Sequence, residues 1–175
     1  MLTDCYYQLD HLPLLDTKYV NEGIHAEFQL PVEEINGIRT PRTIKATTTF
    51  VESTFAQDIR QQLSPNIHAC FFRNNPRSLY DWHTDSTGKR KCAINFLLTE
   101  SLGAMTLFRD PISRLNYNIV ECPYQLYKPV LLNVDREHCV INNSDQYRYV
   151  LSVSLPDVTF DQAVEFFQTY SINSY

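Results

Sequence analysis

From residue 66 to residue 155 the chain is written as short apolar runs broken by turn residues, and that rhythm restricts the fold. Runs at 66–72, 92–98, 105–108, 117–120, 130–134, 139–141 and 147–155 are rich in Val, Ile, Leu, Phe and Tyr, and 80–85 reads as a further short strand. Asn74-Asn75-Pro76 and Ser86-Thr87-Gly88-Lys89 supply turns between them. Many short strands with turns at this spacing indicate an antiparallel sandwich or barrel. The 11 Tyr and 10 Phe point the same way, because flat side chains pack well on a pleated surface.

The flanks read differently. Residues 1–50 are irregular, with Pro13, Pro31 and Pro41 interrupting short apolar runs. Short strands and loops padding the outside of the core are expected there. Ser53 is a suitable N-cap for a helix over 54–63, in which Phe55, Ile59 and Leu63 recur every four residues. Ser64-Pro65 ends it. Thr159 with Gln162 forms a capping box, and Phe160, Ala163, Val164 and Phe167 share one face of a C-terminal helix expected to pack on the β-core. The expected organisation is one domain over 1–175: a β-core at 66–155, an N-terminal cover and helix at 1–65, and a C-terminal helix at 157–170.

A net charge of −5 removes the usual electrostatic drive toward phosphate backbones, so nucleic acid is not an expected partner. No apolar run is long enough to span a bilayer, and no membrane association is expected. The first residues, Met-Leu-Thr-Asp-Cys-Tyr-Tyr, lack the basic and apolar regions of a signal peptide. Cys5, Cys70, Cys92, Cys122 and Cys139 are odd in number and widely spaced, which suits a reduced, cytoplasmic protein.

Within the strand series, one segment carries chemistry. In Tyr80-Asp81-Trp82-His83-Thr84-Asp85, residues 83 and 85 lie two apart on one strand and point to the same face. His138 follows about fifty residues later between two apolar runs, and it is the only His downstream of the pair. Two imidazoles with one carboxylate are a donor set suited to Fe(II), with open positions left for small ligands. Arg148 stands ten residues after His138 and opens a strand on which Val150 and Ser152 share its face.

His83, Asp85, His138 and Arg148, in this order and spacing, resemble the 2-oxoglutarate- and Fe(II)-dependent oxygenase superfamily, over roughly residues 66–155. The resemblance implies a mostly β double-stranded β-helix, or jelly roll, with flanking helices. It implies His83, Asp85 and His138 as iron ligands and catalytic centre. It implies 2-oxoglutarate as cosubstrate, dioxygen as oxidant, and Arg148 as the partner of the distal cosubstrate carboxylate. The implied reaction couples oxidative decarboxylation of 2-oxoglutarate to hydroxylation of a small-molecule or peptidyl substrate, such as a prolyl or other amino-acid side chain. Tyr80 is similar in position to the Tyr of Tyr-x-x-His-x-Asp in prolyl 4-hydroxylases, where the phenol contacts the cosubstrate. Strand alternation turns Tyr80 away from His83 unless a bulge intervenes. The chain departs from those enzymes upstream, where Arg73 and Asn74 occupy the place of their Tyr.

Other residues have two readings each. Asn95, polar in the apolar run Ala-Ile-Asn-Phe-Leu-Leu, either touches the cosubstrate or metal-bound water or makes a sheet hydrogen bond. Ser152 is a candidate to assist Arg148. Lys89-Arg90-Lys91 is either a solvated turn or a basic mouth that attracts an anionic substrate. Cys139 reads as a buried small side chain directed away from the metal. The constellation itself has a structural alternative: a surface pair at His83 and Asp85, a core His138, and Arg148 bridged to Asp81 or Glu137. Two other functions compete. A cupin-like metal enzyme would carry His-x-His and conspicuous Gly markers, whereas here Asp85 stands in the second His position and the chain has 4 Gly. A non-catalytic jelly-roll binding module would have no physical reason to keep the ligands.

Overall fold

The computed structural model describes residues 4–28, 34–35, 38–39, 42–85, 90–100, 103–113 and 116–170. The turn expected at 86–89 lies outside them. In chain order the strands are β1 (Tyr6–Gln8), β2 (Glu34–Ile35), β3 (Ile38–Arg39), β4 (Arg42–Ala46), β5 (His68–Asn74) and β6 (Ser78–His83). They continue with β7 (Arg90–Leu97), β8 (Ala104–Pro111), β9 (Tyr117–Glu121), β10 (Pro129–Asn133), β11 (His138–Asn142) and β12 (Arg148–Pro156). The helices are α1 (Thr17–Ile24), α2 (Thr54–Gln62) and α3 (Phe160–Thr169), with a single 3-10 turn at Phe50–Glu52.

Among the described residues, a six-stranded sheet runs β1-β10-β7-β12-β5-β4 and a four-stranded sheet runs β6-β11-β8-β9. Every named pairing is antiparallel. Two antiparallel sheets are the sandwich expected from the strand rhythm, and the architecture is the jelly roll that the resemblance implied.

Alternation along the large sheet separates two functions. Leu151, Val153 and Leu155 of β12, with Ile94 and Phe96 of β7, form an apolar core with the helices. Tyr19 and Val20 of α1, Phe55 and Ile59 of α2, and Phe167 of α3 cover them. Phe96 is fully buried, its ring 6.0 Å from Phe50 and 6.3 Å from Phe55 in edge-on contacts. Such burial contributes roughly 1.5–3 kcal/mol per large side chain. The opposite face of β7 and β12 carries Asn95, Arg148 and Val150, which line a pocket between the sheets. A smaller interior cluster of Cys5, Ala93, Phe108, Cys122, Val130, Leu132 and Val134 fills the space beside it.

The helix over 54–63 forms as expected, with the Ser53 hydroxyl accepting from the Ala56 amide. The C-terminal helix carries the reciprocal Thr159–Gln162 capping box. The described part of residues 1–50 carries a helix as well as the expected short strands. Asp16 caps α1 by accepting from the Lys18 amide, and Tyr19, Val20 and Gly23 form its buried face. That face spans barely two turns, too short for a helical period to stand out from the surrounding Pro-broken runs. Nor does this segment only pad the outside: β1 and β4 are the two edges of the large sheet. Among the described residues no helix is long and apolar enough to cross a membrane, and no disulfide joins the cysteines.

Candidate metal centre and cosubstrate pocket

His83 ends β6 and His138 begins β11, and the two are direct cross-strand partners. Their ring centroids are 4.3 Å apart. Asp85 lies two residues past the end of β6, held by its amide donating to Val134 O at 2.9 Å. One ligand atom from each of His83, Asp85 and His138 can be chosen so that all lie within 4.8 Å of one another.

Backbone carbonyls orient both imidazoles. His83 Nδ1 is 2.6 Å from Asp81 O, and His138 Nδ1 is 2.9 Å from Arg136 O. A carbonyl only accepts, so each Nδ1 carries a hydrogen and each Nε2 is the ring atom left to face a metal. His83 Nε2 is 3.6 Å from Asp85 Oδ1. Burial, partly offset by the Arg136 carbonyl, pulls the His138 pKa down to about 4, so its ring is neutral at neutral pH. Two imidazoles and one carboxylate converging on one point fit a divalent metal by donor chemistry.

Arg148 is 3% exposed. Its Nη2 donates to Thr106 Oγ1 at 3.1 Å, and its guanidinium carbon sits 5.0 Å from the Tyr124 ring centre. Its Nε has no hydrogen-bond partner, and no carboxylate pairs with it among the described residues. Glu137, one of the partners considered for it, pairs with Arg109 at 2.7 Å instead. Asp81 O and Oδ1 are engaged by His83 and by the Trp82 amide. Glu100 and Glu121 share a separate recess with Arg148 but are themselves exposed. A buried guanidinium without an anion is costly unless a ligand supplies one. Arg148 lines the same pocket as His138 and Asp85, with a volume of about 430 Å³ including its mouth. The distal carboxylate of 2-oxoglutarate fits that need.

The remaining candidates divide. Asn95 lines the pocket; its Nδ2 donates to Tyr124 Oη at 3.0 Å and its Oδ1 accepts from Ser152 Oγ at 2.6 Å. Ser152 shares Arg148's strand face but bonds Asn95 and Arg90 rather than Arg148. Tyr80 stands beside His83, ring centres 4.1 Å apart. The bulge that alternation required is present: Tyr80 pairs with Val140 and His83 with His138, so β6 carries one extra residue and turns both side chains the same way. Tyr80 lines an outer recess with His83 and Asp85, not the pocket holding Arg148. Cys139 is buried on the strand face opposite His138, and burial followed by the Asp81 charge raises its pKa, keeping it a thiol.

Of three further pocket residues, Arg90 had two readings in the sequence, and Thr106 and Tyr124 went unread. Arg90 is not in a solvated turn: its Nη1 is 3.0 Å from Asp85 Oδ2 and its Nη2 donates to Ser152 Oγ at 2.5 Å. Thr106 and Tyr124 flank Arg148. The basic triplet marked Arg90 as notable, and alternation along β8 would have turned Thr106 inward. Tyr124 sits in an irregular segment between β9 and β10, where no local pattern reports a side chain's direction.

No family model matches the sequence, and no curated protein matches it. Solved structures do. A Pseudomonas putida prolyl-4-hydroxylase aligns over 86% of this chain and 92% of its own, with TM-score 0.59 and 13% identity. A 2OG-Fe(II) oxygenase family oxidoreductase from Burkholderia pseudomallei aligns over 82% and 80%, with TM-score 0.60 and 8% identity. The non-heme alpha-ketoglutarate-dependent epimerase SnoN from nogalamycin biosynthesis aligns over 86% and 77%, with TM-score 0.58 and 14% identity. Likeness at such low identity speaks to the backbone and not to the reaction, and on that ground the chain has the jelly-roll fold on which 2OG-Fe(II) oxygenases are built.

Proposed function

We propose that the chain is a non-haem Fe(II) oxygenase that couples decarboxylation of 2-oxoglutarate to hydroxylation of a substrate. The observation that carries the reading is Arg148: a buried guanidinium without a carboxylate partner among the described residues, in the pocket lined by two of the three candidate metal ligands. A cupin-like enzyme or a silent binding module would need another anionic ligand to answer that charge.

In this reading His83, His138 and Asp85 would each give one ligand atom to a ferrous ion. When bound, the iron supplies oxidation by dioxygen, with 2-oxoglutarate consumed to succinate and carbon dioxide. The protein's work is placement. Arg148 and Thr106 take the distal carboxylate through charge-assisted hydrogen bonds. Asn95, fixed from both sides by Ser152 and Tyr124, holds the polar wall in one arrangement. Phe72, Leu132, Val134, Val140 and Val150 keep water from the rest of the pocket. Arg90 holds the second Asp85 oxygen, leaving the first directed toward His83. The substrate is reached through the outer recess that Tyr80, His83 and Asp85 share.

Anaerobic addition of Fe(II) and 2-oxoglutarate tests this. A weak visible charge-transfer band is expected, needing both components and absent in His83→Ala. Under air, slow substrate-independent succinate release should follow. Absence of both in wild-type protein that binds Fe(II) overturns the reading.

A further inference from the structure

We propose that the metal end and the cosubstrate end of the site are joined by one row of hydrogen-bonded side chains, in which Ser152 and Asn95 are positioning residues for a ligand held by Arg148. This rests on the oxygenase reading and adds to it a coupling between the two halves of the site.

The row runs from one candidate metal ligand to the buried guanidinium. Arg90 Nη1 is 3.0 Å from Asp85 Oδ2, and Arg90 Nη2 donates to Ser152 Oγ at 2.5 Å. Ser152 Oγ donates to Asn95 Oδ1 at 2.6 Å, and Asn95 Nδ2 donates to Tyr124 Oη at 3.0 Å. Thr106 also hydrogen-bonds the Tyr124 side chain, and its Oγ1 accepts from Arg148 Nη2 at 3.1 Å. Ser152 and Asn95 are direct cross-strand partners on β12 and β7, both buried. The sheet itself therefore brings the middle of the row together.

Donor chemistry gives the row a direction. A guanidinium only donates, so Ser152 Oγ accepts from Arg90 and its single proton goes to Asn95. That proton holds the oxygen end of the Asn95 amide toward Ser152. The nitrogen end is then turned to Tyr124, whose oxygen accepts. Without the Ser152 hydroxyl, nothing on that side tells one end of the amide from the other. Linked hydrogen bonds in a buried setting reinforce one another, and loss of one member leaves the next unsatisfied. Disorder at Ser152 is thus delivered through Asn95 to Tyr124, whose ring lies 5.0 Å from the Arg148 guanidinium carbon. Coupling of this kind is reciprocal, so a ligand that orders the Arg148 end also steadies Arg90 and Asp85 at the metal end.

The test is a double-mutant cycle on 2-oxoglutarate affinity. The protein is loaded with Zn(II), which is redox-inert, so the cosubstrate binds without turnover and its contact with the metal is common to every variant. Titration calorimetry compares wild type, Ser152→Ala, Tyr124→Phe and the double variant, all neutral changes that leave each charge in place. Ser152→Ala should weaken 2-oxoglutarate by about threefold to tenfold, although Ser152 bonds Asn95 and Arg90 rather than Arg148. The double variant should lose no more than the weaker-binding single variant, and Ser152→Ala should have no effect in an Asn95→Leu background. Ser152→Thr, which keeps the hydroxyl, should bind as wild type. Ser152→Cys, close in shape and a much weaker partner, takes the place of Ser152→Ala if that variant does not fold. Wild-type affinity in Ser152→Ala, or single losses that multiply in the double variant, overturns the row. Failure of the oxygenase reading is seen separately, as wild-type protein that does not bind 2-oxoglutarate or as undiminished binding in Arg148→Met.

Discussion

His83 and His138 face each other across the β6–β11 ladder, the last residue of one strand opposite the first of the other. A cross-strand pair is held by the sheet's own hydrogen bonds, so their separation does not depend on a flexible loop. Asp85, two residues beyond, is tied to the same frame through Val134. Mn(II) or Zn(II) should therefore bind the folded protein and raise its melting temperature. His83→Ala and His138→Ala should each weaken binding by about 100-fold or more, measured by titration calorimetry. Wild-type affinity in either variant would remove that residue from the ligand set.

Arg148 offers a test with opposite signs. Replacing a lone buried charge by Met removes its desolvation cost, so Arg148→Met should raise the stability of ligand-free protein by about 1–4 kcal/mol in urea. The same variant should lose stabilisation by 2-oxoglutarate. A destabilised variant that still responds to 2-oxoglutarate would place the cosubstrate elsewhere.

The depressed His138 pKa has a definite pH sign. Its folded value is about 4 against an ordinary 6.5, with burial the main cause. Below pH 6.5 the unfolded chain binds a proton that the folded protein refuses. Metal-free protein should thus keep this contribution above pH 6.5 and lose it as pH falls toward 4, with a further plateau below. The loss is on the order of 3 kcal/mol at most. His138→Gln should flatten that part of the urea stability profile.

Gly23 tests the docking of α1. A Cβ there would lie 2.5 Å from Leu98 Cδ1 and 2.7 Å from Phe71 Cδ1. Both neighbours are buried side chains of the core, with little room to give. Gly23→Ala should destabilise by about 1–3 kcal/mol despite its better helix propensity. A stabilised variant would mean that α1 packs less closely.

The sequence alone determined the strand series, both long helices with their caps, and the residue types that suit a ferrous ion. Those properties are local: alternation, four-residue recurrence and capping are written within a few neighbours. Tertiary structure decided the rest. It placed β1 and β4 at the edges of the large sheet, drew Arg90 from a basic triplet into the site, and brought Thr106 and Tyr124 to Arg148. It also inserted the bulge that turns Tyr80 toward His83, where plain alternation would have turned it away. Sheet edges, bulges and the direction of loop side chains depend on which distant strand arrives alongside, and no window of neighbouring residues carries that information.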